Sequence, residues 1–167
     1  MADEICFTPI GTIHTLYKTP EGMPIQCPGE TGKTGSICIF PPYQEALADL
    51  DGFERIILLY HFHGVRGWSP KVVPYLDTTE RGLFATRAPR RPNPIGLSVV
   101  RLLHLEDGVI EVADIDILDG TPLLDIKPYV PGFDSFTPSR AGWLEEAQLR
   151  ALHVRADERF HRHDETH

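Results

Sequence analysis

Apolar positions in this chain come in short runs separated by proline and glycine, and up to residue 140 only one short stretch keeps a helical period. Residues 5–15 read as a first strand, bent where Pro9 and Gly11 interrupt it. Residues 20–35 carry three prolines and four glycines and read as a long loop, followed by a strand at 36–40. Residues 42–50 read as a short helix, with Pro42 near its first position and Asp51-Gly52 stopping it. Residues 53–63 hold the longest apolar run, the pattern of a central strand covered on both faces, and a short strand is expected at 71–73. Residues 97–105 and 109–118 flank Glu106-Asp107-Gly108 and predict a hairpin. Asp119-Gly120-Thr121-Pro122 then makes a tight turn into a strand at 123–129. Residues 140–160 read as a helix and 161–167 as a polar tail.

At least six strand candidates with only two helices predict a mainly β fold, an antiparallel barrel-like single domain. The expected division is a barrel over residues 1–143 and a C-terminal helix and tail over 144–167. There is no βαβ rhythm and no G-x-G-x-x-G, which excludes a Rossmann nucleotide site. Gly32-Lys33-Thr34 is not a phosphate loop, because Cys27 stands where the motif needs its first glycine and a strand follows instead of a helix.

Residues 82–98 are the most constrained stretch. Pro89, Pro92 and Pro94 remove three backbone donors and keep Ala88, Arg91 and Asn93 out of the α region. The result is a stiff, irregular loop carrying Arg87, Arg90 and Arg91. Guanidinium groups held in place lose less entropy on meeting an anion or a base, although such a loop can also serve as a plain solvated connector.

Charge narrows the partners. A net charge of −8 argues against broad electrostatic adhesion to nucleic acid, so any RNA contact must be local. No apolar run is long enough for a membrane helix, and the first residues lack a basic targeting segment. Cys6, Cys27 and Cys38 follow no metal-ligand spacing and fit reduced thiols of a cytoplasmic protein. His61 and His63 share a strand face, but no third ligand follows at suitable spacing, so a hydrogen-bonded histidine is preferred over a metal pair. Asp125, Lys127 and Tyr129 alternate along the last strand and point one way, either as a solvated face or as a working one.

Three strings go further: Phe84-Ala85-Thr86-Arg87, Arg91-Pro92-Asn93-Pro94-Ile95-Gly96, and Leu118-Asp119-Gly120-Thr121-Pro122 followed by Asp125-Ile126-Lys127-Pro128-Tyr129. With them the chain, from Ile10-Gly11 to about Gly142-Trp143, resembles the TsaA-like or TrmO family, S-adenosylmethionine-dependent methyltransferases built on a β-barrel. The resemblance implies methylation of N6 of N6-threonylcarbamoyladenosine at adenosine 37 of a tRNA anticodon loop, by a homodimer. It implies a cofactor pocket for S-adenosylmethionine formed by Pro24, Ile25, Gln26, His63, Gly64, Arg87, Leu97, Asp119, Gly120, Thr121 and Pro122. Beside that pocket, Asp125, Lys127 and Tyr129 are the expected catalytic face: Asp125 to accept a proton or orient Lys127, Lys127 to pair with the threonylcarbamoyl carboxylate, Tyr129 to bond or stack on the base. Arg90, Arg91 and Asn93 are the expected contacts to phosphate or the modified base. No metal is implied.

Two other readings share these residues. One is a barrel that binds S-adenosylmethionine or RNA without transfer; the other is a methyltransferase with a different small acceptor. A polar trio beside the turn favours the enzyme, since a simple binder has no need of it.

Overall fold

The computed structural model describes residues 4–21, 23 and 32–145 of the 167. Its strands are β1 Gly11–His14, β2 Thr34–Ile39, β3 Arg55–His61, β4 Lys71–Val72, β5 Arg81–Gly82, β6 Ile95–Glu106, β7 Val109–Ala113 and β8 Thr121–Pro128. Six of them close into a barrel in the order β1-β2-β7-β6-β3-β8, with every neighbour antiparallel. Closure leaves the barrel sheet no free edge. The mainly β, barrel-like fold expected from the sequence is the fold observed.

Strand alternation supplies the core. Ile13, Ile37, Ile56, Leu58, Val100, Ile110, Val112 and Leu123 all point inward and are fully buried. Most are β-branched, the shape that packs well on a pleated surface. The hairpin between β6 and β7 turns at Asp107 and Gly108, both with positive φ (49° and 76°). Glycine in the second position allows that turn without a Cβ penalty.

Four expectations are corrected. The first strand begins only at Gly11, because residues 4–10 carry Pro9 and make no ladder. β3 lies between β6 and β8, but only Ile56, Leu58 and Tyr60 are buried; Ile57 and Leu59 on the outer wall are half-covered. The helix expected at 42–50 is two 3-10 turns, Pro41–Leu47 and Leu50–Gly52, since successive prolines open it and Asp49 at φ 65° divides it. The strand expected to reach residue 118 stops at Ala113. Of the expected C-terminal helix, residues 142–144 form a 3-10 turn, and residues 146–167 lie outside the described residues.

The stop at Ala113 shapes the site. Asp114 adopts φ 63°, and its buried carboxylate lies 3.6 Å from Arg55 and 3.7 Å from Arg101 while accepting the Gly32 N–H at 3.0 Å. β7 and β8 are three places apart around a six-stranded ring, so residues 114–120 must cross one end of the barrel. Ile115 and Ile117 are buried in the barrel core, whereas Asp116 and Leu118 are only partly covered.

Outside the barrel, β4 pairs with β5, and Leu83 and Ala88 pack on Val72 and Tyr75 as a small second core. A four-residue helix, α1 Pro131–Asp134, follows β8.

Candidate functional site: a cavity at the mouth of the barrel

Antiparallel pairing brings the end of β3, the start of β6 and the start of β8 to one rim. A cavity of about 650 Å³ opens there, within the range of small-molecule sites. Its walls are Phe62, His63 and Gly64 after β3, residues 95–97 of β6, the Arg87 to Arg91 side of the proline loop, and residues 116–118 of the crossing segment. Trp143 and Leu144 close one side.

The proline loop is pinned at both ends. Thr86 donates to the Leu83 carbonyl at 2.8 Å, and Arg91 Nη1 donates to the carbonyls of Thr86 (3.0 Å) and Ala88 (3.3 Å). The Arg91 guanidinium also sits 5.6 Å from the Phe84 ring centre, a cation–π distance. Arg90 donates to the Arg66 carbonyl at 3.0 Å. Arg91 thus holds the loop's shape as well as lining the cavity, whereas Arg87 lines the cavity. Trp143 donates its indole N–H to the Ala85 carbonyl at 2.8 Å and lies 5.5 Å from the Arg81 guanidinium, tying the later chain to this loop.

His63 is held in one tautomer. Thr121 Oγ1 donates to the Leu118 carbonyl at 2.6 Å, so at 3.3 Å from His63 Nδ1 it can only accept. Nδ1 therefore carries the proton and Nε2 keeps its lone pair. Burial, and next the charge of His61, push the His63 pKa below its ordinary value, which favours the neutral ring.

The Asp119 carboxylate faces away from the cavity. It accepts from Lys18 Nζ (2.6 Å) and the Thr15 N–H (3.0 Å), with His14 Nδ1 at 3.5 Å, and the Lys18 hydrogen bond does most to hold its pKa low. It clamps the turn, while Thr121 projects into the cavity. Gly120 takes φ 74° and donates its N–H to the Ile13 carbonyl, a conformation that favours glycine. Pro122 lies in the outer groove beside Thr12.

Of the residues expected in the cofactor pocket, His63, Gly64, Arg87, Leu97 and Thr121 come together here, and Arg91, expected as a contact to phosphate or the modified base, lines the same cavity. Asp119, Gly120 and Pro122 support the rim from behind. Asp125 and Lys127 do not line the cavity: they form a 2.7 Å ion pair on the outer wall, at positions opposite Leu59 and Ile57. A bulge in β8 opposite Leu59 and Tyr60 sets that geometry, with Leu123 inside. Tyr129 lies just past the end of β8, its N–H on the Arg55 carbonyl. Asn93 is exposed, away from the cavity. Pro24, Ile25 and Gln26 lie outside the described residues.

Sequence reasoning missed Asp116 and Tyr60, which both reach the cavity, and Trp143. Asp116 was hidden in a segment read as strand; the acid-apolar alternation Asp114-Ile115-Asp116-Ile117 was its only signal. Among the described residues no group of three His, Cys, Asp or Glu is placed to hold a metal, and no helix is long and apolar enough to cross a membrane.

Chemically, the cavity offers apolar walls for a flat ring, the Arg87 guanidinium for a carboxylate, and the Asp116 carboxylate on its wall. That donor set suits a nucleoside carrying an amino-acid tail.

Comparison with known proteins agrees with this. The chain is 48% identical over 156 residues to a probable S-adenosyl-L-methionine-binding protein of Pyrococcus abyssi, covering 93% of this chain and 85% of that one. It is 36% identical over 158 residues to the tRNA (adenine(37)-N6)-methyltransferase of Escherichia coli, covering 89% of this chain and 67% of that protein. The crystal structure of TrmO from Pseudomonas aeruginosa superposes with a TM-score of 0.72 at 38% identity, over 84% of this chain and 62% of that one. This chain therefore spans less than two thirds of the solved TrmO chain, and 43% of a related Archaeoglobus fulgidus protein. The family model for the tRNA-methyltransferase O N-terminal domain matches residues 12–135, which hold the barrel strands and most of the cavity walls, and the chain belongs to that family.

Proposed function

We propose that this chain is a methyltransferase that uses S-adenosylmethionine to methylate N6 of N6-threonylcarbamoyladenosine at adenosine 37 of tRNA, acting as a homodimer in the cytoplasm. The observation that carries this reading is the barrel-mouth cavity, which brings His63, Arg87, Leu97 and Thr121 together beside apolar walls. The donor set fits S-adenosylmethionine. Arg87 pairs with its carboxylate, Leu97 and Leu118 cover its apolar surfaces, and neutral His63 accepts a hydrogen bond without adding positive charge beside a sulfonium. The family resemblance assigns Pro24, Ile25 and Gln26 to the same cofactor. Bound there, S-adenosylmethionine supplies a methyl group on a positively charged sulfur.

The protein's own task is to orient and dry the site. Phe62, Leu118 and Trp143 keep water out, and the pinned proline loop fixes its guanidinium groups in advance. Arg90, Arg91 and Asn93 face the anticodon loop, a local basic patch on an acidic chain. Asp125, Lys127 and Tyr129 meet the acceptor on the outer wall, across the interface between two copies. Lys127 pairs there with the threonylcarbamoyl carboxylate, Tyr129 contacts the base, and the 2.7 Å ion pair supports an orienting role for Asp125.

The test is incubation with S-adenosylmethionine and tRNA carrying or lacking the threonylcarbamoyl group, followed by nucleoside mass spectrometry. A methylated N6-threonylcarbamoyladenosine is expected. Equal methylation of plain adenosine 37 would overturn the acceptor assignment. Binding of S-adenosylmethionine with no transfer would favour the second reading, a binding barrel, for which similarity to a probable S-adenosyl-L-methionine-binding protein of Pyrococcus abyssi is the supporting observation.

A further inference from the structure

A polar line runs from the barrel interior to the cavity. Tyr60 on β3 and Ser98 on β6 both point inward and are buried, and their oxygens lie 3.0 Å apart. Ser98 Oγ lies 2.7 Å from Asp116 Oδ1. A carboxylate only accepts, so Ser98 gives its proton to Asp116 and receives that of Tyr60. Buried hydroxyls of this kind lock rotamers, because an unmade bond there is costly. The rod Tyr60–Ser98–Asp116 therefore fixes a carboxylate at the cavity wall from below.

Asp116 is also the only carboxylate among the described residues that line the cavity. Asp125, the other candidate to take a proton, sits on the outer wall in an ion pair. In the proposed acceptor N6 is a urea nitrogen whose lone pair is delocalised into both the purine and the carbamoyl carbonyl, which leaves it weakly nucleophilic. Its proton becomes strongly acidic only as the new N–C bond forms, so a carboxylate, though a weak base, suffices as acceptor. As positive charge leaves the sulfur and arrives at that nitrogen, a fixed anion stabilises it, which neutral His63 does not.

Resting on the methyltransferase reading, we propose that Asp116 is the catalytic proton acceptor, with Ser98 and Tyr60 as its positioning residues. In the step, the nitrogen lone pair forms the N–CH3 bond, the S–C bond breaks with its pair staying on sulfur, and the N–H proton passes to an Asp116 carboxylate oxygen. The balance needs no further reactant.

The experiment compares wild type with Asp116→Asn, Asp116→Glu and Ser98→Ala in three measurements: calorimetric affinity for S-adenosylmethionine, single-turnover transfer to tRNA across pH, and carbon-13 titration of the Asp116 carboxyl in ligand-free protein. Asp116→Asn is expected to bind the donor as wild type does and to transfer about 100-fold more slowly, with partial rescue by Asp116→Glu. Ser98→Ala removes a donor to the charged form, so the acid limb of transfer and the carboxyl titration both move to higher pH. This variant decides the matter if Asp116→Asn does not fold. Wild-type transfer by Asp116→Asn, loss of donor binding in it, or an unmoved acid limb in Ser98→Ala would each overturn the role. Wild-type protein that binds the donor and methylates no tRNA fails before any substitution, which marks the methyltransferase reading itself as wrong and removes this role with it.

Discussion

Tyr60 lies flat against Gly96: a Cβ on Gly96 would stand 2.2 Å from the Tyr60 ring. The two residues are directly paired across β3 and β6 at the cavity rim. The glycine gives the ring room to reach Ser98 on the neighbouring β6 position but one. Gly96→Ala is expected to displace Tyr60, costing about 2 kcal/mol in chemical denaturation, an ordinary overpacking penalty. It should also weaken donor binding, whereas Gly82→Ala, with open space at its Cβ, should leave stability nearly unchanged.

His63 makes stability depend on pH. Its folded pKa is pushed below 6.5, first by burial and then by the charge of His61. The unfolded chain takes up this proton near 6.5 and the folded chain only lower down, so stability falls as pH drops from 6.5 through the lowered value and is level above it. His63→Gln should flatten that slope in urea titrations run across the same range. Thr121→Val, which frees the tautomer by removing the Nδ1 partner, should lower affinity for S-adenosylmethionine in calorimetry.

At the acid end the Asp119 clamp contributes. Its carboxylate pKa is held below 3.8, chiefly by Lys18 and then by the Thr15 N–H, so its contribution is present above 3.8 and is lost as pH falls through the lowered folded value. Asp119→Asn should remove that acid-side dependence. Because Asp119 carries the turn that presents Thr121, it should also weaken donor binding although it does not line the cavity.

Arg91 separates charge from shape. Its Nη1 donates to the Thr86 and Ala88 carbonyls while the planar guanidinium lies 5.6 Å from the Phe84 ring, an arrangement that lysine's shorter, non-planar ammonium does not reproduce. Arg91→Lys is expected to lose about 1 kcal/mol of stability and to raise hydrogen exchange in the proline loop, despite the conserved charge.

Lys127→Ala distinguishes a surface pair from a working group. Lys127 and Asp125 are 59% and 44% exposed, so their ion pair should be worth less than about 1 kcal/mol and the melting temperature should barely move. A fall in tRNA affinity without a fall in stability is the expected outcome, read by filter binding. Unchanged affinity and transfer would remove Lys127 from the acceptor site.

Much of the barrel could be read locally. The β6–β7 turn was legible because Asp107-Gly108 satisfies a positive-φ requirement within its own few residues. The apolar run that became β3 was legible for the same reason, though its two-sided covering was not: β3 takes one face into the barrel and leaves Ile57 and Leu59 half-covered on the wall. The stop at Ala113 was not legible. Asp114 leaves the strand where its carboxylate meets Arg55, Arg101 and the Gly32 amide, partners far away in the chain.

The site divides along the same line. Composition and spacing dictated the stiffness of the proline loop, the glycine turn at 120 and the alternation that fills the barrel, because each follows from φ restrictions or a two-residue period acting over a few neighbours. Which of those residues share a cavity was decided only by closure. Once β7 and β8 stand opposite one another, the segment between them crosses the barrel end, bringing Asp116 onto Ser98 and leaving Asp125 and Lys127 on the outer wall. That placement depends on strand order and register around the ring, a property of all six strands together that no local pattern carries.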